Sequence, residues 1–475
     1  MSEHPFLENK IDRRRFIGQS AKATVGTVLA TTALSYGLIP GANESLSSGS
    51  LRTKTRLVVM TDISTLTASQ GEPDDTQSLI RLLLYSNDFD IQGLIATNTD
   101  HHLPLSVNPQ FIQAILDAYG KVRQNLALHD PRYPPAQSLK ALVKAGSTNR
   151  SAVGKGYDTE ASDWIIKLVD RPDPRPVWIT IWGGARELAQ ALWKVDHTRS
   201  RVKVREFESR IRVYAIGDQD GTGKWIAAHH PGIFYIDAGA PAGSGRFCTY
   251  RGMYRGGDAR LTGPDWVEQH VREGHGALGA AYPNYKGGDP WGRVYGVKEG
   301  DTPSFLYLIP NGLGVPEHPE LGSWGGRFEG GPRYHDAKDT WDGETSERAT
   351  VFRWREAYQN SFAARLDWCV RKPQEANHEP VAVIAGEAER TVVPGERVEL
   401  DGSLSHDPDG DKLSYQWQVY PVAGGKLEPQ ADAKRAIFIA SESGTTHVLL
   451  TVKDGGKPPL SAYCRVTIHV SSKSA

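Results

Sequence analysis

Residues 56–62 read RLVVMTD, an apolar run that ends abruptly in Thr and Asp. A run that is apolar at successive positions, and not at every second one, has to be covered on both faces, which is the situation of a strand inside a parallel sheet flanked by helices. In such sheets ligands collect outside the carboxyl ends of the strands, so Asp62 stands where chemistry would sit. A helix is expected to begin near Asp74 (DDTQSLIRLLLYS), and a second strand follows over residues 89–97 (FDIQGLIAT). The chain thus opens as β-α-β.

The alternation continues. Helices are expected around residues 109–119 and 162–169. PVWITIW at 176–182 reads as a strand that runs into Gly183-Gly184 and the helix ELAQALW, and further strands are expected at 211–217 (IRVYAIG) and 232–237 (GIFYID). Strands separated by helices imply an α/β fold, a mostly parallel sheet flanked by helices. Residues 238–333 are rich in Gly, Pro and aromatics and read as loops and short elements over the sheet, and a helix over 347–370 closes the domain. From residue 380 six strand-like runs appear. In SYQWQVY, Tyr415, Trp417 and Val419 alternate with Gln416 and Gln418, and in RVTIHV, Val466, Ile468 and Val470 alternate with Arg465, Thr467 and His469. Period two with one apolar face indicates a small all-β immunoglobulin-like sandwich.

At 475 residues the chain exceeds a single core, which suits one large and one small domain. The expected organisation is a leader at 1–42, a Ser/Gly-rich connection at 43–55, the α/β domain at 56–371, a linker at 372–379 and the sandwich at 380–475. The leader contains DRRRFIG at 12–18, followed by an apolar stretch broken by Thr and Gly. This has the form of a twin-arginine export signal, with Arg13-Arg14 or Arg14-Arg15 as the pair, and a frayed basic terminus is the competing reading. No segment approaches the roughly 20 consecutive apolar residues of a transmembrane helix. The expectation is export to the periplasm or beyond.

Lys+Arg 55 against Asp+Glu 56 leaves a net charge of -1, which argues against nucleic acid or anionic lipid as partner and for a neutral small molecule or a polysaccharide. Cys248, Cys369 and Cys464 are too scattered for a zinc cluster and read as free thiols. Oligomerisation stays open.

The strongest chemical feature is the carboxylate set of Asp62 with Glu72, Asp74 and Asp75 in GEPDD. Carboxylates gathered at one sheet edge repel one another unless a cation intervenes, and hard oxygen ligands select Ca2+ or Mg2+. The bland alternative has Asp74 capping the helix while Asp62 is merely exposed.

The strand-Asp-loop-Asp-Asp-helix start resembles the nucleoside hydrolases. More closely, TDI, GEPDDTQSLIRLLLYSNDFDIQGLIAT, WGGARELAQAL, YAIGDQDGTGKWI, KEGDTPSFLYLIPNGL and WGGR resemble the nucleoside-hydrolase-like branch that includes exported cellulose-binding proteins. This resemblance implies a Ca2+ at the carboxyl edge of the sheet, holding sugar hydroxyls and the attacking water. It makes Asp62 a metal ligand and general base, Asp75 a metal ligand and Asp74 a contact to a sugar hydroxyl. It also implies a last metal carboxylate at Asp301 in EGDTPSF, a backbone carbonyl ligand near Arg186, and sugar-binding groups at Asn98, Asp218 and Asp220. Glu299 competes with Asp301, Asp301 or Thr302 as a helix cap is the plain alternative, and Asn98, Asp218 and Asp220 also suit ordinary turns.

Three departures stand out. ISTLTASQGEP between Asp62 and Asp74 is longer than the hydrolases' connection, Glu72 replaces an Asp, and no His precedes Asp301, where many hydrolases place a leaving-group acid. His270 and His275 lie upstream, where solvated histidines are the simpler reading. The second domain, with LDGSLSHDPDGDKLSYQW, resembles PKD-type modules, and its Asp407, Asp409 and Asp411 read as turn formers before a calcium site. Two functions therefore compete: a Ca-dependent hydrolase of N-ribosyl or related glycosyl bonds, and a polysaccharide-binding protein whose cleft holds cellulose through Trp225, Trp291 and Trp324. An inert cleft with a scaffolding sandwich ranks behind both.

Overall fold

The computed structural model describes residues 53–68, 73–99, 106–149, 152–239, 248–289, 294–421, 425–429 and 434–471. The twin-arginine segment, Glu72 and Trp291 lie outside these residues.

Eight strands form the main sheet in the order β3-β2-β1-β4-β5-β6-β8-β7. They are β1 (Thr55–Thr61), β2 (Phe89–Ala96), β3 (Val143–Ala145), β4 (Val177–Ile181), β5 (Ile211–Ala215), β6 (Phe234–Asp237), β7 (Phe328–Gly330) and β8 (Arg333–Asp336). Neighbours pair in parallel from β3 through to β8, and β7 runs antiparallel against β8. The chain moves outward from β1 through β2 to β3, then returns to lay β4 on the other side of β1. The order of strands reverses between β1 and β4, and there a crevice opens beyond the strand ends.

Strand β1 shows why an all-apolar run was needed. Leu57 and Val59 enter the core on one face, while Val58 and Met60 enter the core on the other. The first core is filled by α1 (Asp74–Leu84) and α2 (Pro109–His129). The short α3 (Ala136–Lys140) adds Leu139 to it. The second is filled by α4 (Glu160–Val169), α5 (Arg186–Thr198), α6 (Arg201–Ser209) and one turn of α7 (Thr222–His229). Helix α2 runs ten residues past the expected 119 because Val122 and Leu126 continue its buried stripe. The closing helix expected over 347–370 is instead two, Ala349–Phe352 and Arg355–Asp367, separated where Trp354 leaves the helical conformation.

A hairpin of β9 (Asp339–Trp341) and β10 (Glu344–Ser346) precedes the C-terminal sandwich. The sandwich has seven strands where six were expected: β11 (Glu389–Val392), β12 (Arg397–Asp401), β13 (Ser414–Val419), β14 (Gly425–Pro429), β15 (Arg435–Ala440), β16 (Gly444–Lys453) and β17 (Ser461–Val470). They form two sheets, β11-β17-β16-β13 and β12-β15-β14, around Leu400, Phe438, Val448, Val466 and Ile468.

The sandwich is seated on the α/β part through aromatic side chains. Trp324 donates its Nε1 hydrogen to the Tyr463 hydroxyl at 3.1 Å, and the Tyr463 ring meets Trp324 and Trp354 edge-on. Tyr420 donates to Asp339 at 2.9 Å, and Arg465 donates to the Leu313 carbonyl at 2.8 Å. Trp324 is 2% exposed, so the expectation that it stacks on a bound sugar is corrected: its faces are already covered and its one donor is taken. Residues 372–379 also pack closely, with Trp368 bonded to the Asn377 carbonyl at 2.8 Å and Asn377 bonded to Asp454 at 3.1 Å. Removing the Trp324 ring empties the centre of this junction, and Trp324→Ala is expected to lower the stability of the full chain by about 3–5 kcal/mol in urea denaturation. A change below ~1 kcal/mol would mean that the junction contributes little to folding.

Candidate metal centre

A cavity of about 620 Å³ opens at the crevice where the strand order reverses. Asp62 enters it from the end of β1, Trp182 from the end of β4, Gly217 to Gln219 from the end of β5, and Gly239 from the end of β6. Asp74 and Asp75 enter from the first turn of α1, and Asp301 from the segment ahead of a short helix at Pro303–Leu306. One oxygen from each of Asp74, Asp75 and Asp301 lies within 4.8 Å of the other two. Asp75 and Asp301 are buried, at 4% and 2% exposure. Two carboxylates about 4 Å apart repel by on the order of 4 kcal/mol at an effective dielectric near 20. A set of hard, negatively charged oxygens this close is the donor chemistry of Ca2+ or Mg2+.

Local sequence accounts for the placement. Asp74 and Asp75 are the first two residues of α1, whose N-cap is Pro73, so Asp74 is not the cap. Thr61 donates its hydroxyl to the Asp75 carboxylate, which ties the end of β1 to the start of α1. Gly183 passes so near Asp62 that a Cβ there would lie 2.5 Å from the Asp62 carboxyl carbon, and a Cβ on Gly184 would strike the Asn98 carbonyl and Asp220. The paired glycines of WGG are thus required for the two acidic side chains to pack beneath β4's exit.

A second set of contacts clamps α1 to the segment carrying Asp301. Gln77 donates to the carbonyls of Pro283 and Gly296 at 2.7 and 3.0 Å and accepts from the Lys298 amide at 2.7 Å. One turn later Arg81 grips Glu299 with two bonds of 2.5 and 3.1 Å, both side chains being fully buried. Glu299 accepts in addition from Tyr282 and from Thr302, so it is a structural anion and does not compete with Asp301. Trp182 floors the cavity at 1% exposure and donates to Ser304 at 2.8 Å, and Ser304 in turn donates to the Asp301 carbonyl at 2.6 Å.

Several expected site residues belong elsewhere. Asp220 accepts from Thr222 through both its amide and its hydroxyl and from the Arg186 amide, which joins the starts of α5 and α7; it does not line the cavity. Asn98 is 3% exposed and spends its amide on the Ser147 carbonyl. Arg186 opens α5, and a carbonyl in the first turn of a helix points along the axis away from its N-terminal end, hence away from the cavity. Its guanidinium is engaged by Glu187 and the Tyr157 carbonyl. Trp225 is half-buried with its ring stacked on His229. His275 lies 3.3 Å from Asp367 and His270 packs on Trp266, so neither faces the cavity. Asp407 accepts from the amides of Asp409 and Asp411, the arrangement of a turn. Asp218 does line the cavity, with its oxygens also accepting from the amides of Gly223 and Lys224 at the start of α7.

The wall contains residues that the sequence reading passed over: Gln219, Tyr250, Arg251, Tyr254, Arg255, Asp289 and Lys298. Gln219 is fixed by donating to the Trp182 carbonyl at 2.5 Å. Lys298 lies 3.7 Å from Asp289. Burial pushes the Tyr250 hydroxyl up to about 12 and raises that of Tyr254 as well, so both are neutral phenols at ordinary pH. The repeated Tyr-Arg at 250–251 and 254–255 has the one-turn spacing that could have drawn attention.

A family model described as cellulose-binding Sde182, nucleoside hydrolase-like domain, matches residues 56–328. The chain belongs to that family. A second model, the C-terminal domain of cellulose-binding protein Sde0182, matches residues 397–470. A solved structure of a nucleoside hydrolase-related hypothetical protein from Saccharophagus degradans, associated with carbohydrate metabolism, is 33% identical, with 88% of this chain and 100% of that one aligned at a TM-score of 0.74. The PKD domain of KIAA 1837 protein aligns with 20% of this chain and 88% of its own length at 30% identity, and its TM-score of 0.17 decides nothing about the sandwich. No curated protein matches the chain. Among the described residues no helix is long and apolar enough to cross a membrane.

The clamp has a measurable consequence. Arg81→Met leaves Glu299 buried without its cation and is expected to cost about 3–5 kcal/mol in urea denaturation, with part recovered in the double variant Arg81→Met/Glu299→Met. A single variant as stable as the parent would show that the pair does not hold α1 in place.

Proposed function

We propose that this protein hydrolyses N-ribosyl or related glycosyl bonds in a calcium-dependent reaction. The observation that carries the reading is the convergence of Asp74, Asp75 and Asp301 within 4.8 Å at the reversal of a nucleoside-hydrolase-like sheet, with Asp62 on the same cavity. The donor set fits a hard cation: all oxygen, mostly buried, and self-repelling without one. Asp75 and Asp301 are assigned as calcium ligands, with Asp62 beside them. Bound calcium supplies the positive charge that offsets these carboxylates and polarises a water molecule. Asp62, held in place by the close pass of Gly183, takes the proton of the attacking water. Asp74, the least buried of the three clustered acids, accepts from a sugar hydroxyl, and Asp218 and Gln219 line the same cavity. Because both histidines face elsewhere, the neutral phenols of Tyr250 and Tyr254 are the O–H donors on the cavity available to a leaving group. The protein acts outside the cytoplasm after export through its twin-arginine leader.

A second reading is cellulose binding without turnover, and the family's description favours it. Of the three tryptophans expected to stack on glycan, Trp324 is sealed in the junction and Trp225 is off the cavity. A glycan in the cleft would instead meet the Tyr250 and Tyr254 rings.

The deciding measurement is release of nitrophenol from a nitrophenyl riboside by the mature protein, with and without a calcium chelator, beside Asp62→Asn. Turnover that the chelator stops and that Asp62→Asn lowers by roughly a hundredfold or more supports hydrolysis with Asp62 as base. Retention on crystalline cellulose with no turnover of any riboside would replace it with the binding reading. Direct calcium titration should show Asp301→Asn weakening the ion by about tenfold or more, since ligand charge sets affinity at such sites. Unchanged affinity would remove Asp301 from the ligand set.

A further inference from the structure

Buried arginines in this protein are, as a rule, held by ion pairs or by carbonyl acceptors. Arg81 holds Glu299 and Gln359, Arg355 donates to the carbonyls of Gly252, Arg255, Gly256 and Asp258, and Arg365 meets Asp88, Asn87 and the Leu84 carbonyl. Arg251 and Arg255 differ. Both line the cavity and both are half-buried; the Nε–H of each is buried without an acceptor, which they share with Arg186, Arg348, Arg353, Arg365 and Arg465. Among the described residues neither forms an ion pair. The groups acting most strongly on Arg251 are Tyr254, Tyr250 and Cys248, none of them a carboxylate. The third cation of the wall, Lys298, has Asp289 at 3.7 Å.

The Arg255 amide donates to the Arg251 carbonyl at 2.8 Å, so the two residues stand one helical turn apart and present their side chains on the same side. Each guanidinium lies against its neighbouring phenol, with Arg251 5.3 Å from the Tyr250 centroid and Arg255 5.9 Å from that of Tyr254. A guanidinium partly withdrawn from water, with donors unspent, is costly unless something else accepts from it. Its planar fork matches the oxygens of a carboxylate or phosphate, and two forks one turn apart suit one such group.

We propose that the sugar bound in this cleft carries an anionic group, a uronate carboxylate or a sugar phosphate, seated on Arg251 and Arg255. This rests on the cleft being the sugar site put forward above and names the class of sugar it takes. The cavity then presents both signs of charge to the sugar, acids for its hydroxyls and arginines for its anion.

The test is isothermal titration of the full chain, in calcium, with ribose, ribose 5-phosphate and glucuronate as separate probes. An anionic sugar is expected to bind about tenfold or more tighter than ribose, and Arg251→Gln/Arg255→Gln to abolish that advantage while ribose affinity stays the same. A preference for ribose 5-phosphate identifies phosphate, and a preference for glucuronate identifies carboxylate. The pair Arg251→Lys/Arg255→Lys, which keeps the charge and loses the fork, should fall between. Equal affinities for all three sugars, or an advantage that survives the Gln pair, overturns the inference and leaves the sugar cleft standing. Failure of every sugar to bind overturns the cleft reading and this inference with it.

Discussion

Like charge is the constraint around which the large domain is organised. Asp74, Asp75 and Asp301 are brought together against their own repulsion, from two segments more than two hundred residues apart. Part of what holds the two segments together lies away from the site. It is the buried grip of Arg81 on Glu299, with Gln77 a turn earlier tying the same helix to the same segment. Each of these groups is fully satisfied, so the clamp fixes helix α1 against the segment that carries Asp301. Holding charges in an unfavourable arrangement until a ligand arrives is a general property of binding sites, and here the two tasks are assigned to different side chains of one helix.

Much of the sheet and of the acid set was legible in the chain because it is written locally. The all-apolar RLVVMT run specified a doubly covered strand, and the acids of PDD fell at the start of the following helix. The readings that failed depended on partners distant in sequence. Trp324 looked like a surface aromatic, and its partner Tyr463 lies 139 residues away. Asp220 stood in a Gly-rich turn as a sugar ligand might, yet its acceptors are consumed by the start of another helix, through Arg186. Glu299 and Asp301 are two residues apart and indistinguishable by pattern, and only the position of Arg81 assigns one to the core and the other to the cavity. The tyrosine-arginine wall went unread because it belongs to a Gly-rich stretch with little periodic structure, where a single turn of 3-10 helix sets the spacing.

The carboxylates and the arginines line one cavity, and they are built differently. The acids sit on α1 and on a segment clamped to it, with Asp75 and Asp301 buried and Asp74 partly exposed. Arg251 and Arg255 sit on a short, half-exposed turn. A rigid part that fixes reacting groups and a more adaptable part that reads the remainder of the ligand is a division that lets specificity change without disturbing the chemistry.

The seating of the sandwich has a consequence for how such chains can be assembled. Tyr463, Tyr420 and Arg465 are parts of β-strands or strand ends in the small domain, and yet Trp324, Trp354, Asp339 and the Leu313 carbonyl rely on them. Cutting the chain ahead of the sandwich would leave two indoles and a carboxylate open to water on the remaining half. Exchanging the sandwich for another of the same topology would lose the hydroxyls and the guanidinium that complete the joint. The two halves are separate in architecture but share one joint, so an exchange that spares the joint has to carry both sides of the seam together.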